Sequence, residues 1–322
     1  MSYPATAHAV LITRAGGPDV LELREVPVVA PGPGEVVVAI AAAGVNPVES
    51  KIRRGSRGEI TTPLRIGADG AGTVVAVGEG ARYAEGTPAA EGDEVIGWGL
   101  PGSYAEYVTT QATRLTRKPA AVGFAQGAAL GIPAATAYQC LKSAGLQAGE
   151  TLLVHAGAGA VGQAAIQFAR LWGAEVVATA SEGNHARLRE LGATPVTYGD
   201  GLLERVRAAA PQGIDRVLEG AGTPESAEVS LALVADPARV VEIVVPGWQA
   251  QYGFQVFSGG LPGSMTPEVV AIRDEAIPYT AALLADGRFT VELGPSFPLA
   301  EVVRAHELLD TGHPGGKIVL LP

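Results

Sequence analysis

The fold is decided by a short apolar run, residues 151–155, and by the turn that follows it, which reads Gly157-Ala158-Gly159-Ala160-Val161-Gly162. An amphipathic segment, residues 161–172, comes next, and G-x-G-x-x-G between a strand and a helix is typical of a dinucleotide-binding turn. Gly157 would permit the tight turn, Gly159 the approach of a pyrophosphate, and Gly162 close packing of the helix on the strand. The N–H groups at the helix start would bind phosphate. The alternative is an ordinary glycine-rich turn.

The residues beyond this turn repeat the alternation of strand and helix. Further strands are expected at residues 175–179, 195–198, 214–218 and 239–245, and helices at 185–191, 202–209 and 226–233. An Ala-rich helical stretch, residues 125–146, precedes them. Such alternation implies parallel βαβ units with right-handed crossovers. The sequence therefore predicts an α/β fold with a Rossmann-type doubly wound parallel sheet domain over residues 123–264.

The first third of the chain has a different pattern, in which short β-rich runs are separated by Gly- and Pro-rich turns. The runs are residues 10–12, 35–42, 73–77 and 93–96. This spacing predicts a barrel-like β domain over residues 1–122. After an irregular stretch, residues 246–265, helices are expected at 267–285 and 299–309, and a strand at 317–321. Residues 265–322 form a third segment.

The end of the strand 175–179 indicates which dinucleotide is bound. NAD-binding sites usually place Asp or Glu there to hold the ribose hydroxyls. In this chain Ser181 follows the strand, and Glu182 lies just beyond it. Ser181 could donate to a 2′-phosphate, with His185 and Tyr198 as further donors, whereas Arg187 is either a donor or a surface charge. This pattern favours NADPH over NADH.

Composition narrows the class of protein. The 322 residues carry a formal net charge of −10, which is poorly suited to nucleic acid or to an anionic membrane surface. The single cysteine, Cys140, excludes an intramolecular disulfide and a cysteine-rich zinc site, and we expect it to be buried and inert. We find no signal-peptide pattern and no run of about 20 apolar residues. We expect a cytoplasmic protein with no nucleic-acid or membrane partner.

Several short motifs occur together, and in order, along the chain. They are Gly44-Val45-Asn46-Pro47-Val48-Glu49-Ser50-Lys51, Gly67-Ala68-Asp69-Gly70-Ala71-Gly72-Thr73-Val74, Gly92-Asp93-Glu94-Val95, Tyr104-Ala105-Glu106-Tyr107, Pro133-Ala134-Ala135-Thr136-Ala137-Tyr138 and Gly316-Lys317-Ile318-Val319. With them, nearly the whole chain resembles the medium-chain dehydrogenase/reductase superfamily, within it the zinc-free quinone oxidoreductase and alkenal (enone) reductase group. The resemblance implies a GroES-like β-rich catalytic domain, made from residues 1–122 and completed by 265–322. It also implies a homodimer.

The resemblance further implies a site without zinc. Zinc-dependent relatives carry Cys where Asn46 stands and His where Ala68 stands, so neither ligand is present. Asp69 matches an acidic position of those relatives, and we expect it to be a structural, hydrogen-bonding carboxylate. The five histidines show no metal-ligand spacing. His155, before the glycine turn, is expected to pack or to form hydrogen bonds.

By resemblance, Asn46 and Lys51 would be the catalytic residues, contacting the nicotinamide ribose or a substrate oxygen. The alternative for Lys51 is a solvated surface lysine. Thr136, Gly222 and Lys317 would join the glycine turn in binding the cofactor. Asn184 stands where many relatives place a Lys against the 2′-phosphate, which counts against NADPH.

The chemistry that fits a metal-free site is hydride transfer from NADPH to an acceptor that is already electrophilic, such as a quinone or an α,β-unsaturated carbonyl compound. Residues Gly247–Gly263 are expected to form the loop that faces the hydride acceptor. This loop carries four aromatic residues, Trp248, Tyr252, Phe254 and Phe257, which suggest an apolar or aromatic substrate. Aromatic residues in loops, however, more often serve packing. Two alternatives stay open. One is a cofactor-binding but non-catalytic protein like the lens crystallins of this family. The other is an enoyl-thioester reductase, for which Arg53, Arg54 and Arg57 would supply a basic entrance.

Overall fold

A computed structural model describes residues 3–56, 58–257, 265–312 and 315–322. They divide into two compact units, one formed by Met1–Ile132 with Ile277–Pro322 and the other by Pro133–Ala276. The boundaries predicted from the sequence, 122 and 264, fall ten and twelve residues earlier. The predicted boundaries were placed where the composition changes, at the start of a helical stretch. At both boundaries, however, the chain passes from one unit to the other inside a helix.

The strands and helices of the described residues are numbered in chain order. The strands are β1 (Thr6–Ile12), β2 (Glu22–Pro27), β3 (Glu35–Gly44), β4 (Leu64–Arg65), β5 (Asp69–Val77), β6 (Glu94–Gly97), β7 (Tyr107–Gln111), β8 (Leu115–Arg117), β9 (Thr151–Val154), β10 (Glu175–Thr179), β11 (Thr194–Val196), β12 (Arg216–Glu219), β13 (Val240–Glu242), β14 (Gln255–Val256), β15 (Leu293–Pro298) and β16 (Lys317–Leu321). The helices are α1 (Pro47–Arg53), α2 (Phe124–Ala128), α3 (Gly131–Ser143), α4 (Ala160–Leu171), α5 (His185–Glu190), α6 (Leu202–Ala209), α7 (Pro224–Leu233), α8 (Trp248–Tyr252), α9 (Pro267–Ala285) and α10 (Val302–Asp310).

The first unit is built on β3, the longest strand of a seven-stranded sheet. The order is β15-β16-β3-β5-β6-β8, with β7 also paired to β3, and a second sheet has the order β2-β1-β4. Apolar side chains from both sheets share one core that includes Ile12, Val38, Val74, Leu115 and Leu320. Burying each such side chain contributes roughly 1.5–3 kcal/mol. The C-terminal strand β16 is therefore an interior strand of a sheet that begins near the N-terminus.

The second unit is a six-stranded parallel sheet with the order β11-β10-β9-β12-β13-β14. Strands β9, β10, β12 and β13 are largely buried, and Leu153, Val177, Val217 and Val240, one from each of these adjacent strands, meet in its core. Successive strands extend to one side of β9 and then to the other. The carboxyl end of β9 is thus the switch point at which such sheets bind ligands. The predicted Rossmann-type fold, beside a GroES-like β domain, is confirmed.

The expectation of an irregular stretch at 246–265 was wrong in its first half. Residues there form α8 and the edge strand β14, which pairs with β13. Trp248 and Phe254 are buried in the core of the second unit, and the ring of Tyr252 packs on both. These aromatics were assigned to an acceptor loop, but packing of this short helix accounts for them. Phe257 is half-buried, and 258–263 lie outside the described residues.

No helix in the part of the chain that the structure describes is long and apolar enough to cross a membrane.

Candidate functional site

The glycine turn follows β9 and is tied to the end of β10 by Thr179. The Ala156 N–H donates to Thr179 Oγ1 at 3.1 Å, and the Gly157 N–H donates to the Thr179 carbonyl at 2.8 Å. Ala156 has a φ of 58° and is the sole non-glycine residue at positive φ within the described ranges. Such a conformation costs about 1–2 kcal/mol in an L-residue, so these hydrogen bonds hold a strained turn. Neither Ala156 nor Thr179 was predicted from the sequence to have this role.

The three glycines of the turn differ in what surrounds them. A β-carbon on Gly157 would lie 2.8 Å from the Ala178 β-carbon, and one on Gly162 only 2.4 Å from the Ala156 carbonyl oxygen. Neither position has room for a side chain, which agrees with tight turning and close packing. Gly159 is exposed, and a β-carbon there would meet only the Ala156 carbonyl, at 3.4 Å. The approach to the middle glycine is therefore open.

Helix α4 begins at this open side. Gly159 is its N-cap residue, and no side chain of the described residues caps it. The backbone N–H groups of the first turn, at Ala160 and Val161, have no partner inside the helix, because the first four N–H groups of any helix lack one. A helix of twelve residues adds the positive end of its dipole. The turn thus has the shape and the donors that fit a pyrophosphate.

Three predicted ribose-phosphate residues lie at the ends of β10 and its neighbour β11. The Ser181 Oγ accepts a hydrogen bond from Asn184 Nδ2 at 3.0 Å, so its own hydroxyl hydrogen can still be donated to a ligand. His185 Nε2 lies 3.3 Å from the Ala180 carbonyl oxygen, which only accepts, so this nitrogen is the donor. Tyr198, after β11, is 55% exposed. Two hydroxyl groups, those of Ser181 and Tyr198, thus lie after these strands, together with the Glu182 carboxylate.

Other predicted cofactor residues lie elsewhere in the second unit. Gly222 has a φ of 68° and donates its N–H to Glu219 Oε1 at 2.8 Å. Glu219 ends β12, is fully buried, and also accepts from the Ala221 N–H at 2.6 Å. Burial raises the pKa of Glu219. Thr136, on α3, accepts a long hydrogen bond from Arg273 at 3.5 Å. The turn-holding role of Glu219 was not predicted from the sequence.

A buried polar cluster surrounds Asn46 in the first unit, and we call Asn46, Glu49, Asp69 and Lys317 the amide cluster. Asn46 Nδ2 donates to Asp69 Oδ2 at 3.0 Å and to Glu49 Oε1 at 3.3 Å, while Lys317 Nζ donates to Asn46 Oδ1. Lys317 Nζ also lies 3.9 Å from Asp69 Oδ2. Asp69 Oδ2 accepts from the Ile132 N–H at 2.8 Å, so Asp69 is the structural carboxylate that was predicted.

Ionisation within the amide cluster is set by burial. Asn46 and Glu49 are 1% exposed and Lys317 is 5% exposed. Desolvation, reinforced by the negative charge of Asp69 and opposed by Lys317, raises the pKa of Glu49 to about 7. Desolvation also lowers the pKa of Lys317, against the attraction of Asp69 and Glu49. Both amide hydrogens of Asn46 are donated to the carboxyl groups of Glu49 and Asp69, and the ammonium of Lys317 donates to Asn46, so the two side chains are held within the cluster.

Helix α1 is fixed at both ends. Asn46 is its N-cap, and Glu49 Oε2 accepts from the Asn46 N–H at 2.9 Å, which completes a capping box. At the other end Arg53 is fully buried and pairs with Asp310 at 2.6 Å. Lys51 lies between these anchors and is half-buried. Of the arginines proposed as a basic entrance, Arg53 is therefore internal, Arg54 also pairs with Asp310, and Arg57 lies outside the described residues.

Two further predictions about single side chains hold. Cys140 is fully buried, and burial raises its pKa to about 12, so the thiol is inert. His155 is buried, with Nδ1 at 3.4 Å from Thr179 Oγ1, and burial lowers its pKa to about 4. It is a neutral packing residue beneath the glycine turn.

Comparison of this chain with known proteins identifies the family to which it belongs. Residues 32–120 match the family model of the alcohol dehydrogenase GroES-like domain, and residues 191–320 match that of the zinc-binding dehydrogenases. The human protein named quinone oxidoreductase is 32% identical over 98% of this chain and 97% of its own length. The chain belongs to the quinone oxidoreductase group of the medium-chain dehydrogenase/reductase superfamily.

Solved structures of this superfamily extend the likeness over the whole chain. The Escherichia coli quinone oxidoreductase, complexed with NADPH, has a TM-score of 0.83 at 26% identity and covers 99% of this chain and 100% of that one. A mycobacterial protein complexed with NADPH has a TM-score of 0.80 at 29% identity and covers 98% and 100%. This member of the quinone oxidoreductase group is accordingly an oxidoreductase of the medium-chain type.

The name of the second family model refers to zinc. The side chains that this chain has at the zinc-ligand positions are therefore relevant. Within the described residues, no group of three or more His, Cys, Asp or Glu side chains is placed to hold a metal ion. Asn46 stands within the amide cluster, and the nearest cation to Asp69 that the structure places there is the Lys317 ammonium, at 3.9 Å.

Proposed function

We propose that this protein is a zinc-independent reductase that uses NADPH to reduce a quinone, or the carbon–carbon double bond of an α,β-unsaturated carbonyl compound. The observation that carries the proposal is the glycine turn at the switch point, with Gly159 open and the first turn of α4 uncapped by the described side chains. Membership of the quinone oxidoreductase group supports it, since the human and Escherichia coli relatives bear that name.

The choice of NADPH rests on the end of β10. Ser181 can donate to a 2′-phosphate while still bound to Asn184, and the Escherichia coli and mycobacterial neighbours were solved with NADPH. Glu182 stands one residue beyond the position where a carboxylate would select NADH. We expect NADPH to bind at least about tenfold more tightly than NADH, or ~1.4 kcal/mol. Fluorescence titration measures both affinities, and equal values would contradict the assignment.

When NADPH is bound it supplies the hydride, and the protein needs to orient the acceptor and stabilise the oxygen on which negative charge develops. Lys51 is the cation of α1 that we assign to this oxygen, or to the ribose beside it. Its helix is held by the capping box at one end and by Arg53 with Asp310 at the other. Asn46 serves as the N-cap that sets the start of this helix. A fixed helix keeps the charge of Lys51 in one place.

A steady-state assay decides between this function and its alternatives. NADPH oxidation should be followed with a panel of small quinones, enones and one enoyl thioester. Turnover of quinones or enones supports the proposal. NADPH binding without turnover of any acceptor would instead indicate a non-catalytic, crystallin-like protein, and preference for the thioester would indicate the third class. Burial of Arg53 speaks against the thioester, because it removes one of the arginines expected at a basic entrance. We also propose a homodimer, which light scattering after size exclusion would test.

A further inference from the structure

The Asn46 amide has opposite chemistry on its two sides. Its oxygen faces the Lys317 ammonium, which can only donate, and its nitrogen faces the carboxylates of Glu49 and Asp69, which accept. Rotating the amide by 180° would set N–H against ammonium and oxygen against two carboxylates, so that three hydrogen bonds would be lost at once. Burial makes each of these losses costly, because no water replaces them. One orientation of the amide is therefore strongly preferred.

Strand order explains why these four side chains meet. Strand β3 lies between β16 and β5, so its last residue, Gly44, pairs with Val319 on one side and with Asp69 on the other. Lys317 and Asp69 thus come from the two strands that flank the point where β3 ends and α1 begins. A β-carbon on Gly44 would lie 3.2 Å from Lys317 Cε and 2.2 Å from the Ala128 carbonyl oxygen. The stem of Lys317 therefore runs directly over Gly44 toward Asn46.

The amide cluster transmits this geometry to α1. Asn46 is the N-cap residue and Glu49 is the third residue of the helix, and Glu49 accepts from the Asn46 N–H at 2.9 Å and from Asn46 Nδ2 at 3.3 Å. A tilt of the Asn46 amide would break the Glu49 contact and loosen the first turn. Lys51 lies two residues beyond Glu49 on the same short helix of seven residues. The N-cap of the helix that carries Lys51 thus accepts a hydrogen bond from a residue 271 positions away.

We propose that Lys317 is a positioning residue, whose ammonium fixes the Asn46 amide and, through the first turn of α1, the placement of Lys51. This role rests on the proposed reductase function, in the form in which Lys51 contacts the oxygen on which negative charge develops. It replaces the direct cofactor contact expected for Lys317 from the sequence. A group that acts in this way affects turnover without touching the cofactor.

The test is Lys317→Ala with and without n-propylammonium, which restores the three carbons and the ammonium that the substitution removes. Lys118→Ala is the matched control, because the side chains of Lys118 and Lys317 are each 4% exposed, and Lys118 pairs with Glu94 away from Asn46. In Lys317→Ala we expect kcat to fall at least about tenfold while the NADPH Kd changes less than about threefold. Propylammonium should restore turnover and raise the melting temperature of this variant, and should do neither for Lys118→Ala.

A second variant separates positioning from stability. Lys317→Met with Asp69→Asn removes both charges, and an Asn side-chain oxygen placed where Asp69 Oδ2 lies can still accept from Asn46 Nδ2 and from the Ile132 N–H. The donor to Asn46 Oδ1 is then missing. We expect its melting temperature to approach that of the wild type while kcat stays at least about tenfold low. Full turnover in this folded double variant would overturn the proposal.

The remaining outcomes are also decisive. A rise of tenfold or more in the NADPH Kd at unchanged kcat would make Lys317 a cofactor contact and overturn the proposal. A wild-type protein that reduces no acceptor would refute the reductase function alone. In that case the effect of propylammonium on the melting temperature still tests whether the Lys317 ammonium fixes the Asn46 amide. A higher melting temperature for Lys317→Ala but not for Lys118→Ala supports this role. The same response in both variants overturns it.

Discussion

Replacing Glu49 by Gln should remove a specific dependence of stability on pH. Burial beside Asp69 raises the pKa of Glu49 from 4.5 to about 7 in the folded protein. At about 1.4 kcal/mol per pH unit, this difference corresponds to roughly 3 kcal/mol. The folded state binds the proton more tightly than the unfolded state does. The stabilisation is therefore complete below about pH 4.5 and is lost as the pH rises through 7.

The assay is chemical denaturation of the wild type and of Glu49→Gln at pH values from 4.5 to 8. Two buried imidazoles, His155 and His306, have pKa values lowered to about 4, so they shift stability in the opposite direction over the acid half of this range. They are present in both proteins and cancel in the difference. The free energy of unfolding of the wild type minus that of the variant should fall by about 3 kcal/mol between pH 4.5 and 8.

Glu94→Gln is the control, because the Glu94 carboxylate is 48% exposed and forms an ion pair with Lys118. Replacing an exposed carboxylate of this kind should leave the dependence of the free energy of unfolding on pH almost unchanged. Parallel curves for the wild type and Glu49→Gln would refute the reasoning, because they would mean that Glu49 titrates normally or that the Lys317 charge fully offsets its burial. If the free energy of unfolding of the wild type minus that of Glu49→Gln grew with pH, the reasoning would be refuted more strongly, because the change would have the opposite sign to the one expected.

Three further outcomes follow from the site. Lys51→Met should lower kcat/KM by roughly tenfold to a thousandfold if the Lys51 charge acts in the transition state. If Lys51 holds the ribose instead, the substitution should mainly raise the NADPH Kd. If kcat/KM and the NADPH Kd are both unchanged, Lys51 is a surface lysine. Gly162→Ala places a β-carbon 2.4 Å from the Ala156 carbonyl oxygen, so melting temperature and NADPH affinity should both fall, at a cost of about 1–3 kcal/mol in folding. The purified protein should hold no stoichiometric zinc, and activity should survive chelators; one zinc per chain by elemental analysis would contradict this.

Sequence patterns predicted the second unit well because its central strands are buried on both faces. Strand β10 and helices α6 and α9 have the predicted bounds, although Pro278 lies inside α9. The apolar run of β10 and the helical period of α6 are unbroken. The short elements α8 and β14 were missed because Gly247 and Gly253 flank them and resemble loop residues. Strand β15 was missed because it contains Gly294 and Pro295 and is largely exposed. Its pairing with β16, not its composition, makes it a strand.

The glycine turn of the second unit and the amide cluster of the first differ in the same way. The glycine turn is local, so spacing alone located Gly157, Gly159 and Gly162. The amide cluster depends on the order of β16, β3 and β5, which no local pattern encodes. Lys317 was therefore assigned to the cofactor by resemblance, although its ammonium is bound to Asn46. Glu49 was read only as part of a motif, because a buried carboxylate cannot be told from an exposed one without tertiary context.

The discontinuity of the first unit has a consequence for biosynthesis. Ribosomes release the chain from its N-terminus, so Pro133–Ala276 emerges as an uninterrupted segment that contains all six strands of its parallel sheet. The β-rich unit begins to emerge earlier but lacks β15 and β16 until residues 293–321 have been synthesised. During that interval the nascent chain holds Asp69 and Glu49 without the ammonium that neutralises them, and β3 without one of its neighbours. The residues of β15 and β16 thus both complete the sheet and supply the cation of its polar interior.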